Sequence, residues 1–345
     1  MINISAYLTA LRVLVFTTFI IGGCSSSESN NDEPAPIPDS AGNDIAEEDE
    51  MLCPAGALYD ADEDVCFIDC TGLTDDQCDA LDQSVFGDFD EFIDSEFSGA
   101  SVNAQDSEMS EQTIAEYTIE NDLQLTQLKN EQPENEQQFQ QIWESANALL
   151  PQVTLKQTLS EFHISTDGVQ GILAYVTTDD NQPEKWIIGF DPADYTTSKD
   201  SEFIHTTIHE FGHIVFLNIE QVNMTELGDC PNYAIAEGCT LESSFINRFF
   251  QRFWLDIFDE HTATVGPDEL EQNVTAFYEQ YQDQFVSEYA ATNPVEDAAE
   301  VFTRFVLSSK PEEGGTIAQQ KIRSLYEFAE LVRLRNIIRA KLNAM

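Results

Sequence analysis

The chain has 345 residues, 42% of them hydrophobic, enough to bury a substantial core in one good-sized domain with additions. Its 64 acidic residues against 15 lysines and arginines give a formal net charge of −49. That charge excludes binding to nucleic acid, or to an anionic membrane surface through a basic patch, and leaves a solvated acidic surface.

The N-terminus reads as an export signal. Arg12 is followed by the apolar run VLVFTTFIIGG and then Cys24. The run is too short for a comfortable membrane span and ends in small residues, as secretory signals do. IIGGCSSS resembles a bacterial lipobox. The resemblance implies that residues 1–23 are a lipoprotein signal peptide and that lipid is attached to the sulfur of Cys24. The expected location is the bacterial cell envelope, outside the cytoplasm, with contact to the membrane through the lipid alone.

Residues 24–50 are rich in Ser, Pro and acids and read as a disordered tether. Residues 51–80 are Cys-dense and too short to fold on a core alone, so cysteines must staple them. Setting Cys24 aside, an even number of cysteines remains: Cys53, Cys66, Cys70, Cys78, Cys230 and Cys239. In an exported chain these predict disulfides. Proximity suggests pairing within the first four, in an order left open, and Cys230 with Cys239. Residues 81–111 read as an acidic linker in which acids alternate with Phe. Asp88, Asp90 and Asp94 lack the Gly and terminal Glu of an EF-hand loop, so calcium is not assigned there. No Lys or Arg occurs between Arg12 and Lys129, which predicts a poorly packed, polyanionic N-terminal third.

Residues 112–345 read as the globular domain. NEQQFQQIWESANALL has helical periodicity, with Phe139, Ile142, Trp143, Ala146 and Leu149 on one face and Pro151 at its end. GILAYVTT and EKWIIGFDP read as two strands joined by DDNQP. EKWIIGFDP is expected at the sheet edge, where it could pair with an extended peptide. Asp200 and Ser201 offer N-caps for a helix carrying HTTIHEFGHIV, residues 205–215. Helical patterns follow over about 233–258, 267–286 and 294–308. The C-terminal segment is amphipathic. It carries a large share of the few cations, with Arg335, Arg339 and Lys341 among them, and is expected to cap an acidic body. The order of elements gives an α+β fold, a small antiparallel sheet with a mostly helical lower subdomain.

HTTIHEFGHIV carries the chemistry. His209 and His213 stand at i and i+4 and project from one helix face. Two imidazoles there can ligate one Zn²⁺. Glu210 completes H-E-x-x-H, in which the Glu serves as general base toward water at the zinc. Gly212 leaves room for a neighbouring segment. His205, one turn earlier, is expected to be a satisfied polar residue near the site entrance. A catalytic zinc needs a third protein ligand. Phe216 and Ile219 exclude a His at the metzincin spacing. Two carboxylates remain, Glu237 in YAIAEGCTLE and Glu296 in SEYAATNPVEDAAEVF.

HEFGH together with YAATNPVEDAAEVF resembles the catalytic domain of anthrax lethal factor and its bacterial relatives, among them zinc-binding metallopeptidase lipoproteins. The resemblance covers roughly residues 185–345 and is strong only at the two motifs. It implies a zincin-like fold of gluzincin type with a cleft between two subdomains. It favours Glu296 over Glu237 as third ligand, puts the Tyr289 hydroxyl beside the metal, and makes Glu300 a carboxylate that steadies a ligand imidazole. A longer insertion between the motifs, with Cys230 and Cys239, departs from the family pattern, so substrate choice is not carried over. The expected activity is that of a zinc metalloendopeptidase acting on a peptide or protein substrate. Two alternatives stand beside it: a non-catalytic surface lipoprotein with a degenerate protease domain, and an amide hydrolase acting on peptidoglycan. Nothing in the sequence indicates an oligomeric state.

Overall fold

The computed structural model describes residues 53–87, 89–93, 112–166, 173–224, 230–267 and 269–345, all within one unit, Met51–Met345. The segments read above as signal peptide and tether, Cys24, and much of the stretch read as acidic linker, with Asp88 and Asp94, lie outside the described residues.

The Cys-rich segment forms a hairpin of β1 (Leu58–Asp60) and β2 (Val65–Phe67), followed by α1 (Asp75–Phe86). Thr74 and Gln77 cap α1 reciprocally. Disulfides join Cys53 to Cys66 and Cys70 to Cys78, and a third joins Cys230 to Cys239, so the expected pairing of near neighbours holds. Three disulfides suit an oxidising, extracytoplasmic compartment. No helix among the described residues is long and apolar enough to cross a membrane.

The main sheet is built from β3 (Gln112–Ile119), β4 (Leu125–Asn130), β5 (Leu159–Thr166), β6 (Ala174–Asp179) and β7 (Gln182–Phe190), in the order β4-β3-β5-β7-β6. The helices α2 (Glu136–Leu149) and α3 (Gln152–Thr158) lie between β4 and β5. All neighbouring strands pair antiparallel except β5 and β7, which run parallel because the chain goes from β5 to the outer strand β6 and returns along β7. The expected apolar face of α2 is buried. An aromatic chain continues from it along one face of the sheet. Trp143 lies 5.4 Å from Phe162, Phe162 6.3 Å from Phe190, and Phe190 5.6 Å from Phe203, centroid to centroid. Phe203 belongs to α4 (Ser201–Leu217), so this chain ties α2 to the motif-bearing helix along that face.

The edge strands are β4 and β6, not EKWIIGFDP, which forms the interior strand β7. The apolar run from Trp186 to Phe190 suits a strand covered on both sides, and β6, with Thr177 and Thr178, suits an edge. Asp200 caps α4 by accepting from the Glu202 N–H, and every residue of α4 from Phe203 to Leu217 is buried.

A small sheet of β8 (Val222–Asn223), β9 (Ala234–Ile235) and β10 (Gly238–Thr240), in the order β8-β10-β9, replaces the first half of the helix expected over 233–258. Gly238 has φ +148, and a Cβ there would collide with the Asn223 carbonyl oxygen. The helical remainder is α5 (Phe245–Phe253). Then come α6 (Phe258–Thr264), α7 (Glu271–Gln280), α8 (Pro294–Leu307), α9 (Ile317–Leu325) and α10 (Ala329–Ala344).

The Cys-rich segment is packed, not loose. Asp82 of α1 is fully buried and takes Arg335 at 3.0 Å and Arg339 at 2.6 Å, both from α10. Asn336 donates to the Ile68 carbonyl at 2.9 Å. Glu63 accepts from the backbone N–H groups of Gln152 and Val153 at the start of α3, and Lys341 stands 3.5 Å away. The basic C-terminal helix thus meets acids of the Cys-rich segment, where each charge has its counterion.

Candidate metal centre

Helix α4 presents His205, His209 and His213 one turn apart, and α8 presents Glu296 and Glu300 one turn apart. The two helices interleave these side chains. Glu300 lies between His205 and His209, and Glu296 between His209 and His213. The distances are 3.0 Å from His205 Nε2 to Glu300 Oε1 and 2.9 Å from His209 Nδ1 to the same oxygen. His209 Nε2 stands 3.0 Å, and His213 Nε2 3.3 Å, from Glu296 Oε2. The two Nε2 atoms are 3.1 Å apart.

Local sequence explains the placement of α8. Asn293 caps it by accepting from the Val295 and Glu296 N–H groups, and Pro294 takes the first helical position, where no N–H is needed. Glu296 therefore sits in the first turn. Next to Glu296 in sequence, buried Asp297 accepts from Lys321 Nζ at 2.5 Å and Trp254 Nε1 at 2.7 Å, which holds the helix against rotation.

Two groups among the described residues could hold a metal ion: His209, His213 and Glu296, and the more buried His205, His209 and Glu300. The first fits a tetrahedral ion. Donors about 2.0–2.1 Å from such an ion stand about 3.3 Å from one another, and the three observed separations run from 3.0 to 3.3 Å. Two imidazole nitrogens and a carboxylate oxygen suit a divalent first-row metal. With Glu300 ionised, His209 Nδ1 donates to it, and Nε2 faces Glu296 and His213. The acceptors converging there call for positive charge, which either a second proton on Nε2 or a metal ion would supply.

The electrostatics agree. Burial works to lower the pKa of His209, yet the bonds and charges of Glu296 and Glu300 outweigh it and push it up to about 10. Burial raises the carboxyls of Glu296 and Glu300, but the neighbouring imidazoles pull both well below the usual carboxylate range. Glu210 is buried beside the candidate ligand atoms. Its carboxyl is raised by burial, with opposition from His213, His209 and a hydrogen bond from the Val176 backbone of β6. Tyr289 lies in a 3-10 turn just before α8, its ring 5.7 Å from that of His209. Burial first, and then the nearby carboxylates, keep its hydroxyl protonated; it is also hydrogen-bonded to Glu296.

His205 is not at the entrance. It is fully buried beneath His209, on the far side of Glu300. Glu237 sits in the β9–β10 turn, half-buried, and belongs to neither metal-holding group. Gly212 faces α8, so the neighbouring segment for which it leaves room is the one carrying Glu296 and Glu300. Sequence reasoning passed over Ser287, which donates to Glu300 Oε2 at 2.6 Å, and Val176, which reaches Glu210 through its backbone. Neither residue type carries a signal of its own. Comparisons of the chain with family models, with curated proteins and with solved structures returned no match.

Proposed function

We propose that this chain is a zinc-dependent metalloendopeptidase with a zincin-like, gluzincin-type active site similar to that of the anthrax lethal factor catalytic domain. The observation that carries the reading is the convergence of His209 Nε2, His213 Nε2 and Glu296 Oε2 within 3.3 Å, with Glu210 buried and Tyr289 alongside. When bound there, zinc supplies Lewis acidity to a carbonyl oxygen and brings the pKa of water to about 7.

The side chains divide the remaining work. Glu210 takes a proton from the attacking water and passes it to the leaving amine. Its raised pKa suits both steps, because it holds a proton more firmly than an exposed carboxylate does. Tyr289, kept protonated, donates toward the negative charge that develops on the carbonyl oxygen. Among the described residues strand β6 pairs with β7 alone and contributes the Val176 contact to Glu210, so its other edge offers an extended peptide a register next to the base. Lipid attachment at Cys24 would hold this activity at the cell envelope, with a peptide or protein as substrate.

The test compares zinc content and peptide-library hydrolysis of the wild type and Glu210→Gln. The expected result is one zinc per chain in both proteins and a rate about 10²–10⁴-fold lower in the variant. Equal rates with zinc retained would favour a non-catalytic surface lipoprotein. Cleavage of peptidoglycan fragments but not of peptides would make the chain an amide hydrolase.

A further inference from the structure

Glu300 is held by more groups than the steadying of one imidazole requires. Its Oε1 accepts from His209 and His205, and its Oε2 accepts from Ser287. Both Glu300 and His205 are fully buried. An ionised carboxylate only accepts, so each imidazole nitrogen facing it carries hydrogen. That commits His209 Nδ1 to donating to Glu300 and leaves Nε2, which faces His213 and Glu296, as the nitrogen that would ligate. Contacted by His209 alone, the carboxylate could swing and offer either oxygen. His205 on one oxygen and Ser287 on the other remove that freedom.

We propose that His205 is a positioning residue for the metal centre: by fixing Glu300, it sets the tautomer and ring orientation of the ligand His209. The inference rests on the zinc reading above. His205 is placed to orient, not to ligate the same ion. Its Nε2 meets Glu300 on the Nδ1 side of His209, away from the face where His209, His213 and Glu296 converge. Partners of this kind are worth about 10–100-fold in metal affinity.

The experiment uses the full chain with zinc and with cobalt as probes. His205→Phe removes the donor at similar volume, and His205→Gln returns an amide N–H near the place of Nε2. Zinc affinity is read by chelator competition, stoichiometry by metal analysis, ligand geometry by the cobalt absorption spectrum, and folding by thermal unfolding of the metal-free proteins. His205→Phe should hold one zinc per chain with about 10–100-fold weaker affinity and an altered cobalt spectrum. His205→Gln should recover most of both. Ser287→Ala, which frees the other oxygen, should weaken zinc in the same direction, and it decides the matter if His205→Phe does not fold. Wild-type zinc affinity in His205→Phe, or in Ser287→Ala where that variant decides, overturns the inference and leaves the peptidase reading standing. Two zinc ions in the wild type and one in His205→Phe would make His205 a ligand and overturn it as well. A wild type without zinc affinity removes both readings.

Discussion

A Cβ placed on Gly212 would stand 3.2 Å from the Cα of Ala299 and 3.3 Å from Phe302 Cδ1, so α4 and α8 meet almost backbone to backbone beside the candidate metal centre. This close approach lets Glu296 and Glu300 reach between the histidines. Gly212→Ala would add about 1 kcal/mol of helix propensity. It would also press on a helix backbone that cannot swing aside, at a cost of about 1–3 kcal/mol. The net expectation is a modest fall in stability with a larger fall in zinc affinity, because ligands from two helices are spread. Unfolding curves with and without zinc check it; unchanged affinity would count against the account.

Tyr289→Phe should retain zinc, because His209, His213 and Glu296 supply three donors without it. The hydroxyl is expected to act on charge present only in the transition state. Its removal should therefore lower kcat about 10²–10³-fold and leave KM within a few-fold. Steady-state kinetics on one cleavable peptide decide; a change confined to KM would assign Tyr289 to substrate binding.

Asp82→Ala should destabilise by about 3–5 kcal/mol, because it strands the buried guanidinium groups of Arg335 and Arg339. Asp79, 3.3 Å from Arg335, relieves part of the charge. By the same reasoning a chain begun at residue 112 should not fold to a metal-binding form. Urea titration of Asp82→Ala tests the first expectation, and zinc binding by the shortened chain the second.

His261 is buried, and its Nε2 lies 3.1 Å from the Ala291 carbonyl and 2.9 Å from that of Thr292, which pins the turn carrying Tyr289. Burial lowers its pKa below 6.5, only partly offset by those carbonyls. The unfolded chain therefore takes up a proton that the folded chain resists. The stability tied to His261 is complete above about pH 6.5 and declines as pH falls toward the folded value, by at most about 1.4 kcal/mol per unit. His261→Gln should lose this part of the acid sensitivity. Urea midpoints at pH 7.5 and 5.5 for both proteins would show it, and parallel declines would refute it.

Much of the site is legible in local spacing. His209, Glu210 and His213 lie within one helix, and the Asp200 cap and apolar periodicity announce that helix. Glu296 and Glu237 are not separable by spacing, since the choice depends on how α8 packs against α4. The hairpin at Ala234–Thr240 hides in a helical pattern because a disulfide and a close approach at Gly238 override local preference. Strand β5 begins at Leu159 directly after α3 ends at Thr158, with no Gly or Pro to mark the change; pairing with β3 and β7 decides it. The packing of the Cys-rich segment was hidden for a similar reason, since its countercharges lie at the other end of the chain.

The bond between Asp82 and Arg339 spans 257 positions. A ribosome emits Asp82 long before Arg339. A product terminated between the two cannot make this link, so synthesis past Arg339 is a precondition for a settled interior. Closure over so long a loop is slow, which gives the two nearby cystines time to form first.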